Sequence, residues 1–435
     1  MNRLPIEILR YILREATLVQ GGSSYPDEVD ELEQEKEALR RINDSMSIKC
    51  AISLVSPCWH TLGDEFLFEI IHISQQRVVR PLVGVLRRHD ENAAPRGRWC
   101  RHLIINLRHY EIEWTHGQAT LWGLVPSCPR LEDLRCFLYL SIHPLGPPHQ
   151  STRTLFPAPA VLLQTIASVQ ASRLRSLHFG EWVEISLDHA TNLLSHLEDL
   201  ELCQFDRLVD PSSFPREDFS SWYDHTKFND DQYPLNEVEV QEYEQAISVA
   251  RWPASGRPVN LPNLRIFKAC TFFPDFGKWH VPSLRDVTFG LSHDYEWESE
   301  SLAIMQRALI PHSSHITRLT CGSGVPALWN ILAMLPHLEQ LQFQLHDMET
   351  AGTPSESHVC LQSIVFRSQS HWFEGDLSVA LTNIQDHILS LPKLKTITIE
   401  GNSRVAKQER LAERQPMFAE LGVFLTVAYN VDLSW

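Results

Sequence analysis

Hydrophobic and polar positions along the chain repeat one eight-residue phrase, clearest as PKLKTITI from Pro392 to Ile399. It returns as PHLEQLQF (Pro336 to Phe343), PSLRDVTF (Pro282 to Phe289), PNLRIFKA (Pro262 to Ala269) and PRLEDLRC (Pro129 to Cys136). Without the proline it recurs around Leu174-Leu177-Phe179, Leu197-Leu200-Leu202, Ile316-Leu319-Cys321 and Leu361-Ile364-Phe366. The final positions alternate with the period of a strand, so one face is buried and the other wet. The leading Leu anchors the turn into the strand, and a Pro two residues earlier stops a preceding helix.

Helical patterns separate the phrases. Leu377, Leu381, Ile384, Ile388 and Leu391 share one helical face, as do Leu328, Ile331, Leu332 and Leu335. Val161, Leu162, Ile166 and Val169 precede the Leu174 phrase, and Ala190, Leu193, Leu194 and Leu197 precede the Leu200 position in the same way. Repeated strand–helix units predict a right-handed solenoid with its strands along one concave face. From Leu131 through Leu174, Leu197, Leu264, Leu284, Ile316, Leu338, Leu361 and Leu394, successive spacings are 43, 23, 67, 20, 32, 22, 23 and 33 residues. Several fall within the roughly 20–29 residues of leucine-rich repeats. Most of residues 100–430 therefore resembles an irregular leucine-rich-repeat array.

Ahead of the array, Leu4-Pro5 opens a helix lined by Ile8, Leu9, Ile12, Leu13 and Ala16. Residues 21–44 interrupt it with GGSSYP and then DEVDELEQEKE, which holds seven acidic residues against one Lys. That charge predicts an exposed loop, with room for a short acidic helix. Apolar spacing resumes at Ile48, Ala51, Ile52 and Val55. Ser56-Pro57 then reads as the N-cap and first residue of a helix presenting Trp59, Leu62 and Phe66. EIIHIS (Glu69 to Ser74) reads as a short strand, and Val78 to Leu86 as another amphipathic helix.

Together, LPIEILRYIL and SLVSPCWHTLGDEFLFEIIHI resemble an F-box, the three-helix motif that docks on the Skp adaptor of cullin–RING ubiquitin ligases. The matching residues are Leu4-Pro5, Glu7-Ile8-Leu9 and Ile12, then Leu54-Val55-Ser56, Cys58-Trp59 and Leu62. FLFEIIHI is similar to the expanded F-box-like families of mushroom-forming fungi, in which leucine-rich repeats often follow. The acidic insert departs from the family's short turn. The expected organisation is α/β: a small helical F-box-like module over residues 1–74, then an irregular leucine-rich-repeat-like solenoid over 75–435. The resemblance implies adaptor binding through Leu4, Pro5, Ile8, Leu9, Ile12, Leu54, Val55, Trp59 and Leu62. It also implies recognition of a protein substrate by the repeats.

Composition narrows the alternatives. The formal charge of −16 over 435 residues argues against general binding to nucleic acid or anionic membranes. The seven Arg of residues 77–101 read as a solvated helix face and loop. Nine Cys occur without a CxxC, and with no signal-peptide pattern they suggest a reducing compartment, cytoplasmic or nuclear. No apolar run approaches the roughly 18 residues of a membrane span. The widest gap in the array, about residues 210–245, places nine acidic residues from Glu217 to Glu244 among Trp222, Tyr223, Phe228, Tyr233 and Tyr243. A protein-binding insertion and a disordered loop both fit it.

Catalytic motifs are missing: the sequence holds no GxGxxG, GxxxxGK[ST], HExxH or GxSxG. His293-Asp294, His346-Asp347 and Asp386-His387 are sequence neighbours, which point different ways on a strand or helix. The expected role is thus non-catalytic, with no metal or cofactor; a plain interaction scaffold without a ubiquitin link is the rival. Strand alternation predicts a row of outward residues, Arg135, His178, Glu201, Lys268, Thr288, Thr320, Gln342, Val365 and Thr398. Its ionisable members, Arg135, His178, Glu201 and Lys268, are the expected substrate contacts.

Overall fold

The computed structural model describes residues 5–17, 31–87, 95–108, 118–139, 156–157, 160–180, 183–209, 252, 256–271, 273, 275–289, 301–322, 328–344, 353–354, 356–367, 374–401 and 411–429. The fold is mixed α/β, with parallel strands and intervening helices. The chain divides into two compact units. One comprises Met1–Arg153, Pro159–Leu174 and Asn229–Arg251; the other comprises Thr154–Ala158, Arg175–Phe228 and Trp252–Trp435. The junction expected near residue 74 lies inside the first unit.

In the first unit, α1 (Ile6–Thr17), α2 (Glu31–Ser53) and α3 (Pro57–Leu67) precede three parallel strands, β1 (Ile70–Ile73), β2 (His102–Arg108) and β3 (Asp133–Tyr139). Ser56 caps α3 as expected, its Oγ accepting the Trp59 N–H at 3.3 Å, with Pro57 at the first helical position. Leu13, Leu62 and Phe66 form the buried centre of the three-helix cluster, and Leu9, Ile52 and Trp59 pack around it. Arg10–Glu65 (3.3 Å) and Arg14–Glu69 (3.8 Å) tie α1 to the end of α3 and the residue before β1.

The acidic insert departs from the loop expectation. From Glu31 onward it is helical and runs unbroken through Lys49 to Ser53. Glu, Lys, Leu and Ala are strong helix formers, and Ile42 gains a buried seat on Ile104 and Phe137. The rest of the insert, residues 21–30, lies outside the described residues.

In the second unit nine parallel strands pair in chain order among the described residues. They are β5 (Ser176–Phe179), β7 (Leu202–Phe205), β9 (Ile266–Ala269), β10 (Asp286–Phe289), β11 (Arg318–Cys321), β12 (Gln340–Gln344), β13 (Ser363–Arg367), β14 (Thr396–Gly401) and β15 (Phe424–Tyr429). A second small sheet joins β4 (Phe156–Pro157), β6 (Val183–Ser186) and β8 (Leu208–Val209). Helices lie between strands where periodicity placed them, including Leu187–Leu194, Leu328–Met334 and Glu374–Asp386. Leu377, Leu381 and Ile384 are buried there, as are Ile331, Leu332 and Leu335.

The eight-residue phrase acquires a backbone meaning. The carbonyl of each strand-entry residue accepts two N–H groups from the next entry: Arg175 from Glu201 and Leu202, Arg265 from Arg285 and Asp286, Thr317 from Glu339 and Gln340, Gln362 from Lys395 and Thr396. The anchoring Leu before each entry is buried, and so are the second and fourth strand residues, such as Leu177 with Phe179 and Leu341 with Phe343. Around Phe267 the core turns aromatic, with Phe273, Phe276, Trp279 and Phe289 at centroid separations of 5.2–5.9 Å.

Candidate functional site

Pairing across the second unit aligns the third residue of every strand. The row reads His178, Gln204, Lys268, Thr288, Thr320, Gln342, Val365, Thr398 and Thr426. Glu201 is therefore not in the row; Gln204 holds that place. Leu197, Leu200 and Leu202 fit the phrase as written, but the pairing uses Leu200, Cys203 and Phe205 instead. Glu201 becomes a strand-entry residue whose carbonyl accepts the Arg265 and Ile266 N–H groups. Its side chain lies 3.8 Å from the exposed Arg175.

The first members of the row form a polar cluster. His178 Nε2 donates to Asp206 Oδ2 at 3.1 Å, and Gln204 Nε2 donates to Asp206 Oδ1 at 2.8 Å. Asp206 is itself held by its backbone N–H on the Phe179 carbonyl at 3.0 Å. Lys268 follows on the next strand. Charge-assisted bonds orient both His178 and Gln204 about one carboxylate. Asp206 carries no signal in the repeated phrase, because it lies one residue beyond its strand.

Farther along, the row is less wet than alternation alone predicts. Gln204, Thr288, Gln342 and Val365 are buried. Strands about 4.8 Å apart let longer neighbouring side chains cover short ones. Arg367 illustrates this, reaching Glu400 at 2.8 Å and donating to the Gln342 amide oxygen at 2.9 Å once that amide is oriented to accept. Thr398 and Thr426 hydroxyls meet at 3.1 Å.

Arg135 belongs to the first unit, unlike the other three expected substrate contacts. Its guanidinium engages Asp133, with Nε to Oδ2 and Nη2 to Oδ2 both at 3.0 Å, and His102 Nδ1 sits 3.5 Å from the same carboxylate. The neighbouring arginines are also engaged. Arg87 donates to Ser127 Oγ and the Gly123 carbonyl, and Arg96 pairs with Asp64 at 3.0 Å.

The nine expected adaptor contacts separate into two groups. Pro5, Ile8, Ile12, Leu54 and Val55 are exposed; the last two are 85% and 67% exposed, and Ile8 and Ile12 about half. Leu62 is buried in the helical cluster, with Leu9 and Trp59 packed partly buried against it. Leu4 lies outside the described residues, as does the acidic stretch 210–245. Tyr11, Ile6 and Ile48 are further exposed apolar side chains on α1 and α2.

Among the described residues, no group of three or more His, Cys, Asp or Glu is placed to hold a metal ion, and no helix is long and apolar enough to cross a membrane. Cys136 and Cys203 within their strands, and Cys270 just after β9, are packed interior thiols. Burial pushes Cys136 and Cys270 up to about 12, and Cys203 well above its usual value. No family model and no curated protein matches the chain.

Proposed function

We propose that the chain is a substrate-recognition adaptor of a cullin–RING ubiquitin ligase. The helical module docks on the Skp adaptor, and a leucine-rich-repeat-like solenoid receives a protein substrate. The observation that carries this reading is the exposure of Ile8, Ile12, Leu54 and Val55 on a helical cluster whose interior is already filled by Leu13, Leu62 and Phe66. Apolar side chains left outside a closed core are available to a partner. Sequential parallel strands with helical returns support the solenoid. The role is non-catalytic, the transfer chemistry belonging to the partners.

On this reading the substrate meets His178, Gln204, Asp206 and Lys268, where fixed donors and acceptors stand side by side. Co-purification with the Skp adaptor is the test. The wild-type chain should retain it, and Leu54→Asp or Ile12→Asp should lose it at an unchanged melting temperature. No capture of the adaptor by the wild-type chain would favour an interaction scaffold with no ubiquitin link, and equal capture by wild type and variants would move the docking surface away from Ile12 and Leu54.

A further inference from the structure

Strand β15 stands at one edge of the second unit's sheet. It pairs in parallel with β14 on one side, and among the described residues no strand lies on its other side. The Phe424 N–H donates to the Lys395 carbonyl, so the main-chain groups of Phe424, Thr426 and Ala428 face β14. Those of Leu425 and Val427 therefore face away. Gln415 Nε2 reaches one of them, the Leu425 carbonyl, at 3.2 Å. The Leu425 N–H and both Val427 groups have no partner among the described residues.

Open edges are ordinarily blunted by charge, proline, a bulge or shortness. β15 reads FLTVAY, six residues without charge or proline, and β-formers dominate it. Leu425 is buried, whereas Phe424, Thr426 and Ala428 share the other face and are exposed, Phe424 at 69%.

A second copy of β15 is the occupant that fits this edge. A two-fold contact sets each residue near its own copy, so a charged edge would repel itself, and this edge carries no charge in a chain of net charge −16. Antiparallel pairing centred on Thr426 sets Leu425 opposite Val427 of the second copy. These residues own the outward groups, and their pairing makes about four N–H···O bonds across the axis. On the exposed face Thr426 then meets its own copy, and the bulky Phe424 covers the small Ala428. Centring on Val427 instead would leave Phe424 beyond the last described pair.

We propose that the second unit's sheet continues across a two-fold axis into a second copy of the chain, β15 against β15, with Thr426 at the axis. The pairing uses up the open edge, so association stops at two chains. A single strand pair is a small interface, with a Kd on the order of micromolar.

Sedimentation of the full-length protein at about 100 µM, well above such a Kd, tests this. The mass should be that of two 50.0 kDa chains and fall to one on dilution. Thr426→Lys sets two ammonium groups against each other at the axis, and should weaken self-association roughly tenfold or more at an unchanged melting temperature. Thr426→Cys should join two chains through that position when treated with glutathione disulfide, which is reduced to thiol as the new bond forms. Phe424→Cys, set against Ala428 rather than its own copy, should not. A single-chain mass at about 100 µM overturns the proposal and leaves the edge to residues 430–435 or to another protein. A dimer that Thr426→Lys does not weaken and Thr426→Cys does not cross-link is held elsewhere, and overturns it as well.

Discussion

The imidazole of His358 donates from Nε2 to the carbonyl of Leu335 at 2.9 Å, one repeat back, while its Nδ1 accepts the Leu361 N–H at 3.1 Å. Both nitrogens of a buried ring are thereby spent on main-chain groups of adjoining turns. Gln170 does the same in the first unit, donating to the carbonyls of Cys128 (2.8 Å) and Val125 (3.3 Å), and His312 reaches the Phe276 carbonyl at 2.9 Å. Polar side chains in the core thus join consecutive turns where the backbone cannot pair with itself.

His358→Phe should consequently cost about 2–4 kcal/mol, because it fills the volume but leaves a buried carbonyl and a buried N–H unpaired. Urea unfolding reads the loss as a lower midpoint. A variant with the wild-type midpoint would show that the two bonds contribute nothing.

Stability should also fall in mild acid. Desolvation lowers the pKa of His72 and His312, and of His189 against the pull of Asp188, below the ordinary 6.5. The unfolded chain takes up these protons first, so the stabilisation is complete above about pH 6.5 and is lost as pH drops through that value toward the depressed folded ones. Unfolding midpoints measured from pH 7.5 to 5 should decline, and His312→Gln should flatten the decline. A midpoint that rises toward pH 5 contradicts the assignment.

Two glycines are required by close approach. A Cβ on Gly97 would collide with the Ser127 carbonyl oxygen, and one on Gly277 with that of Arg307. Backbone cannot yield as a flexible side chain can, so Gly97→Ala and Gly277→Ala should each cost about 1–3 kcal/mol or more. Gly84→Ala has open space around its new methyl and serves as the control. Equal melting temperatures for all three variants would refute the prediction.

Register makes a sharper claim about the substrate. Glu201→Lys changes an exposed pair on the strand-entry rim and should leave both stability and substrate capture near wild type. Lys268→Glu alters the row itself and Asp206→Asn the carboxylate that holds His178 and Gln204, so on the proposed adaptor reading both should lose substrate while keeping the Skp adaptor. Capture that follows Glu201 instead would place the contact on the rim.

Much of this architecture is written in local pattern. Leu-x-x-apolar-x-apolar specifies an anchored turn and a two-faced strand within eight residues, so β3, β5 and β9 to β14 were legible from Leu131 to Leu394, as were the helices before β5, β7, β12 and β14. β2 and β15 were not, because Cys100 and Gly422 stand where the phrase expects Leu. Around Leu197, Leu200 and Leu202 two readings three residues apart satisfy the same pattern. Only pairing of Leu202 with Ser176 and Ile266 selects between them, exchanging Glu201 for Gln204. The acidic stretch before Ile42 reads as a loop because charge dominates its composition. What makes it helix is a seat formed by Ile104 and Phe137, more than sixty residues away in sequence. Periodicity records which residues one element buries, whereas register and docking depend on surfaces that other segments supply, and these exist only in the folded chain.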